Sequence, residues 1–196
     1  MIKARILMLV AALLVLAPFF LPLWRIVLEA PQYPIPLGMD IHINKIVGMN
    51  EHDVQNINLM NHYVGMKNIP DHLAELDIFP SVIGFMGGLG LLIALKGNCR
   101  WFFAWFLAMA VLGVAGLYDF YLWEYDYGHT LSPKAIIKFV NDDGTPMAYQ
   151  PPILGSKKIL NFTIHSYPQS GGSLLILGVL TGFVAALVCR KSQGSP

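Results

Sequence analysis

Residues 101–129 read WFFAWFLAMAVLGVAGLYDFYLWEYDYGH, and the change of character inside that stretch decides the architecture. From Trp101 to Tyr118 no side chain is charged; Asp119 ends the run, and an aromatic, acidic segment follows. As a helix rising ~1.5 Å per residue, the apolar part spans most of the ~30 Å hydrocarbon core of a bilayer. Three more runs share the property: Ile6–Trp24, Ile78–Leu95 and Ser173–Cys189, each without a charge in its interior. Together they explain a chain of 196 residues that is 55% hydrophobic, 13% charged and of mean hydropathy +0.55. That composition excludes an ordinary soluble domain. A crossing segment must satisfy its own backbone, so the runs read as helices; no alternating pattern supports a barrel.

Charge orients them. Lys3, Arg5, Lys96, Arg100, Arg190 and Lys191 flank the runs on one side, which has no Asp or Glu. All the acids lie on the other side or, for Asp119, at its border. The positive-inside rule makes the basic side cytoplasmic. The expected fold is therefore a mainly α membrane protein with both termini cytoplasmic. Its spans are 6–24, 78–95, 101–119 and 173–189. Loops 25–77 and 120–172 would build a small mixed extracytoplasmic subdomain, in the periplasm of a bacterial inner membrane. A cleaved signal peptide is the alternative for the first run, but Pro18 after Val15-Leu-Ala17 disfavours cleavage. Cys99 and Cys189 fall at the cytoplasmic edge, where thiols stay reduced, and the outer loops contain no cysteine. A net charge of +1 gives no reason to expect nucleic acid as a partner.

Gly84–Gly88 and Gly178–Gly182 have the GxxxG spacing that lets membrane helices approach closely, within one bundle or across a homo-oligomer seam. In the first loop Pro31, Pro34 and Pro36 predict an extended segment, and the spacing over 53–63 predicts a short amphipathic helix. The third helix is expected to run past the bilayer to about Tyr127, with Gly128 ending it. Ser132-Pro133 looks like the start of another helix. Asp143-Gly144 reads as a tight turn and Lys158–His165 as a strand.

All six histidines and five of nine methionines lie in the two outer stretches. Thioether sulfur suits Cu(I), and imidazole suits copper among other metals. The first loop offers Met39, His42, Met49, His52, Met60, His62, Met66 and His72, partly as a weak Gly-Met-x-x-His repeat at 38–42 and 48–52. His62 and Met66, four apart, would share a helix face with Asn58 behind them to orient the imidazole. A second constellation is Asp119, Asp126 and His129, where the first two share a helix face. An Asp at a membrane border is a functional candidate by default. Glu124 points elsewhere and is expected to be solvated or paired with a lysine. The metal candidates are thus His52, His62, Met66, Asp119, Asp126 and His129. No nucleophile motif, zinc-protease motif, phosphate loop, dinucleotide fingerprint or haem site is present. Asn161-Phe-Thr163 matches a glycosylation sequon, which matters only in a eukaryote.

Leu59-Met-Asn-His-Tyr-Val-Gly-Met66, Tyr125-Asp-Tyr-Gly-His129 with Leu131 and Pro133, Tyr149-Gln-Pro-Pro152, Gly155-Ser-Lys157 and Leu160-Asn-Phe162 are distinctive together. With them the chain, from about residue 36 to the fourth span, resembles the NosB-like family. These are small four-span bacterial membrane proteins of nitrous-oxide-reductase gene clusters, encoded near the copper chaperone NosL. The resemblance implies an accessory role: supplying copper to a periplasmic copper enzyme such as nitrous-oxide reductase, or supporting its assembly or electron supply. It assigns no ligand. Beside this copper-handling expectation stand two others, a metal-free assembly or scaffold subunit and a subunit of a membrane copper oxygenase or redox complex.

Overall fold

The computed structural model describes residues 1–70, 73–141 and 143–193. Four helical segments are long and apolar enough to cross a membrane, by length and composition: Ile2–Phe19, Ala74–Lys96, Cys99–His129 and Ser170–Gln193. The first consists of α1 (Ile2–Val15) and a 3-10 turn at Ala17–Phe19, so it ends well before the expected Trp24. Pro18 and Pro22 explain the difference, because proline offers no backbone donor to continue a helix. Trp24 already belongs to a strand.

The remaining elements are β1 (Trp24–Glu29), β2 (Leu37–Ile41), β3 (Ile46–Gly48), α2 (Asp53–Val64), α3 (Ala74–Lys96), α4 (Cys99–His129), β4 (Gly155–Ile159), β5 (Phe162–Pro168) and α5 (Ser170–Gln193). The long helices pack into a bundle whose centre is Trp105 of α4, 2% exposed, with Met8, Ala11, Phe102, Met109 and Ala185 around it. The Trp105 Nε1 donates to the carbonyl of Met86 at 2.8 Å, so the one polar atom of the ring is satisfied inside the bundle. Gly182 of α5 makes room for the ring: a Cβ there would come within 2.6 Å of Trp105 Cζ3. The Gly178–Gly182 pair is thus used inside the chain, whereas Gly88 faces open space. Many apolar side chains on the outside of the bundle are exposed, Phe85, Leu92, Trp101, Val111 and Val114 among them, which is compatible with lipid contact.

Cys99 and Cys189 are joined as a disulfide, not held as separate thiols. The reason lies in packing: α4 starts beside the last turns of α5, with the two Cα atoms 5.4 Å apart.

The two loops do combine into one subdomain. It is a five-stranded antiparallel sheet in the order β3-β2-β1-β5-β4, with central β1 paired to β2 from its own loop and β5 from the other. Alternation gives the sheet two unlike faces. One carries Ile26, Leu28, Met39 and Ile164 and is apolar; the other carries Arg25, Asp40, Glu29, Ser156 and His165. The stretch expected as one strand, Lys158–His165, contains the β4–β5 turn, where Leu160 takes φ 56°. The Ser132 segment forms a turn and not a helix. The expected helix over 53–63 is present as α2, and Asp143 closes the expected turn by accepting from Thr145 N at 2.9 Å.

Candidate functional site

α2 is locked onto the sheet by Asp53, 3% exposed, whose Oδ2 accepts from Gly38 N, Asn50 N and Asn50 Nδ2 at 3.0 Å each. The helix ends at Gly65, which adopts φ 80°, and the chain turns back along it. Asn58 holds this return: its Oδ1 accepts from Ile69 N at 2.7 Å. Asn61 Nδ2 donates to Lys67 O at 3.2 Å. Asn58 is therefore committed to backbone and does not orient His62. α4 enters the same subdomain from the bundle as an unbroken helix. Gly128 does not end it; that residue stays helical and lets the chain at Gln150 pass so closely that a Cβ would sit 2.4 Å from Gln150 N.

Between the apolar face of the sheet, α2 and the end of α4 lies a cavity of about 520 Å³. The sheet contributes Ile26, Met39 and Ile164; α2 and its return contribute Met60, Val64 and Met66. α4 contributes Trp123, Glu124 and Tyr127, with Tyr149 and Phe139 closing the far side. Glu124 is fully buried, and neither carboxyl oxygen has a hydrogen-bond partner among the described residues. It is not solvated or lysine-paired as the sequence suggested. Burial pushes its carboxyl up to about 8, against a smaller opposing pull from Lys157. The group lies well past Tyr118, beyond the length of α4 that a bilayer crossing needs. Trp123 Nε1 is also buried without a bonded partner. The Tyr127 ring packs on Trp123 at 4.4 Å and its hydroxyl donates to Asn68 O.

The candidate ligands fall on several segments of the fold. His52 caps α2, with Nδ1 2.8 Å from Gln55 Oε1. His62 is exposed beside the Tyr63 ring, while Met66 lies beyond the helix end and lines the cavity. Asp119 is half-buried within electrostatic reach of Glu75. Asp126 pairs with Lys67 at 2.6 Å and accepts from Thr130 Oγ1 at 2.8 Å. His129 stacks on Tyr125 at 3.9 Å, and its Nδ1 donates to the Tyr125 carbonyl. His72 lies outside the described residues. Among the described residues no three His, Cys, Asp or Glu side chains converge as a metal centre.

Sequence reasoning missed two groupings. One is Glu124 among apolar walls; the signal was available, since Phe120, Trp123, Glu124 and Tyr127 follow helical spacing and place the acid inside an aromatic stripe. The other is on the polar face of the sheet, where Ser156 Oγ lies 2.6 Å from His165 Nδ1 and His165 Nε2 is 3.4 Å from Glu29. That trio depends on a hairpin which the sequence did not reveal, and it lies on a partly exposed face. No family model, curated protein or solved structure matches this chain.

Proposed function

We propose that this chain is a non-catalytic accessory protein of the bacterial inner membrane that works by binding. Its four helices act as anchor, both termini are cytoplasmic, and the sheet subdomain is a periplasmic binding lobe. The observation that carries this reading is the cavity, walled partly by the same helix that traverses the bundle and holding a buried, unpartnered Glu124. Mostly apolar cavities with few polar groups are the usual form of small-molecule sites. The orientation is supported by the basic flanks. The resemblance directs the role toward maturation or support of a periplasmic copper enzyme such as nitrous-oxide reductase.

Deleting the gene in the native host should abolish nitrous-oxide reduction while the reductase polypeptide is still made. The wild-type gene should restore it, and Ile159→Trp, which fills the cavity, should not. Full restoration by Ile159→Trp would remove the cavity from the function, and an unaffected deletion strain would remove the accessory role.

A copper reading has one specific observation in its favour. Three thioethers, Met39, Met60 and Met66, line the same cavity, so sulfur in place of the histidines would be the main donor set for Cu(I). Titration of the purified chain with Cu(I) against a competing chelator decides it. One copper per chain, lost in a His62→Ala, Met66→Ala variant, would establish a copper site; no copper held against the chelator would leave the metal-free assembly role.

A further inference from the structure

Glu124 is the one carboxyl among the described residues that is wholly enclosed with both oxygens unpartnered. Such a group is costly to bury. Lys157, the nearby cation, does not serve as its partner: the Lys157 Nζ donates to the Gln150 carbonyl at 3.0 Å and forms no ion pair with Glu124. The cavity that the acid lines is mostly aliphatic and also holds rings and thioethers. Trp123 and Tyr127 pack together on its own helix, Tyr149 is 6% exposed across the cavity, and Met39 and Met66 complete the wall.

An acid in an apolar cavity lined in part by aromatic rings has the chemistry of a receptor for an organic cation. The carboxylate supplies the counter-charge, the ring faces attract positive charge through their quadrupoles, and the apolar wall accepts hydrocarbon. Methionine adds an adaptable lining that tolerates ligands of differing shape. We propose that the cavity binds a lipophilic organic cation, an ammonium group on an apolar body, with Glu124 as its counter-ion; this rests on reading the outer subdomain as a binding lobe. A hydroxyl fits less well, since its single donor leaves one carboxyl oxygen bare, whereas an ammonium has three donors and a charge. A bare metal ion fits less well too. It needs several donor atoms about 2 to 2.6 Å from one point, whereas Glu124 and the thioethers of Met39, Met60 and Met66 come from separate segments around a cavity of about 520 Å³.

The test uses the whole chain in nanodiscs of zwitterionic phosphatidylcholine, with empty discs subtracted. Two probes share one cage and differ in one group: 1-adamantanamine, an ammonium at neutral pH, and 1-adamantanol. Binding is read from tryptophan fluorescence, since Trp123 lies in the cavity wall. The amine should bind at least about tenfold tighter than the alcohol, the separation expected when a buried charge gains its partner. Glu124→Gln keeps the shape and removes the charge, and should bring the two affinities within about twofold of each other. An alcohol that binds as tightly as the amine in the wild type overturns the proposal, and that comparison needs no variant to fold. A Glu124→Gln chain that keeps the preference overturns it as well. So does Cu(I) alone displacing the amine with one ion per chain, which would make this a metal site. Equal binding of amine and alcohol defeats only the cation and leaves the binding lobe standing. Binding of neither, together with restoration of function by Ile159→Trp, defeats both.

Discussion

The bundle and the sheet subdomain solve opposite problems with similar materials. In the bundle, the largest side chain, Trp105, is enclosed to 2% exposure, its indole N–H is bonded, and Gly182 gives it room. In the sheet subdomain, Trp123 lines a cavity, and among the described residues its indole N–H is unbonded and the neighbouring Glu124 is enclosed without a partner. One region is closely packed; the other keeps empty volume and a buried carboxyl with no bonded partner among the described residues. Features that lower stability persist where binding needs them.

The largest effect should come from disturbing the tight region. A leucine at Gly182 must displace Trp105, because even its Cβ would lie 2.6 Å from the ring. Overpacking of this kind costs about 3 kcal/mol. The Tm of detergent-purified Gly182→Leu should fall by several degrees, while Gly116→Leu, at a position with nothing within 4 Å, should melt like the wild type. Equal melts for both would mean that Trp105 is not held as tightly as the bundle geometry requires.

The loose region should respond with the opposite sign. Glu124→Leu removes the buried carboxyl and should raise stability by about 2 kcal/mol. The pH dependence follows from linkage. The folded state holds the Glu124 proton up to about 8, against 4.5 for an ordinary glutamate, so between those values the native state binds more protons than the unfolded one. Stability must then fall as pH rises from about 5 to about 8, and the contribution is fully present only below the unfolded value. The difference between wild-type and Glu124→Leu melts isolates that slope from other titrating groups. A difference that does not widen over this range would show that the carboxyl finds a partner in solution.

How much of this contrast was legible in the sequence depends on which forces set it. The four spans were legible because the absence of charge over a bilayer's length is a local property, and so was the joining of two loops into one subdomain. Span ends were less so: the first run stays apolar to Trp24, but Pro18 and Pro22 end its helix early. The strands were mostly hidden, since β1 contains Arg25 and β2 contains Asp40, and only their cross-strand bond at 2.6 Å explains why charges belong there. The cysteines were judged by compartment, whereas the fold of α4 against α5 brings them together. The metal candidates rested on residue type, on one side of a membrane and on helical spacing, and spacing alone did not show that Asn58, expected behind His62, bonds Ile69 N instead. Glu124 was expected to be solvated or paired with a lysine because the sequence does not show which helix face meets the sheet.

The smallest effect should come from an exposed ion pair of the sheet subdomain. Lys67 and Asp126 approach to 2.6 Å and connect the chain returning from α2 to α4 beside the cavity. Each side chain is nearly half exposed, at 48% and 47%, so water and salt screen the attraction and ordering two flexible side chains offsets it. The return is held by other means: Asn58 and Asn61 bond its backbone, and the Tyr127 hydroxyl donates to Asn68 O at 2.9 Å. Lys67→Met should therefore melt within the scatter of replicate wild-type samples and show no added salt dependence. A clear loss in that variant, largest at low salt, would mean that charge and not the asparagine bonds closes this side of the cavity. The contrast with the bundle would then be one of solvent exposure, with both regions held equally firmly.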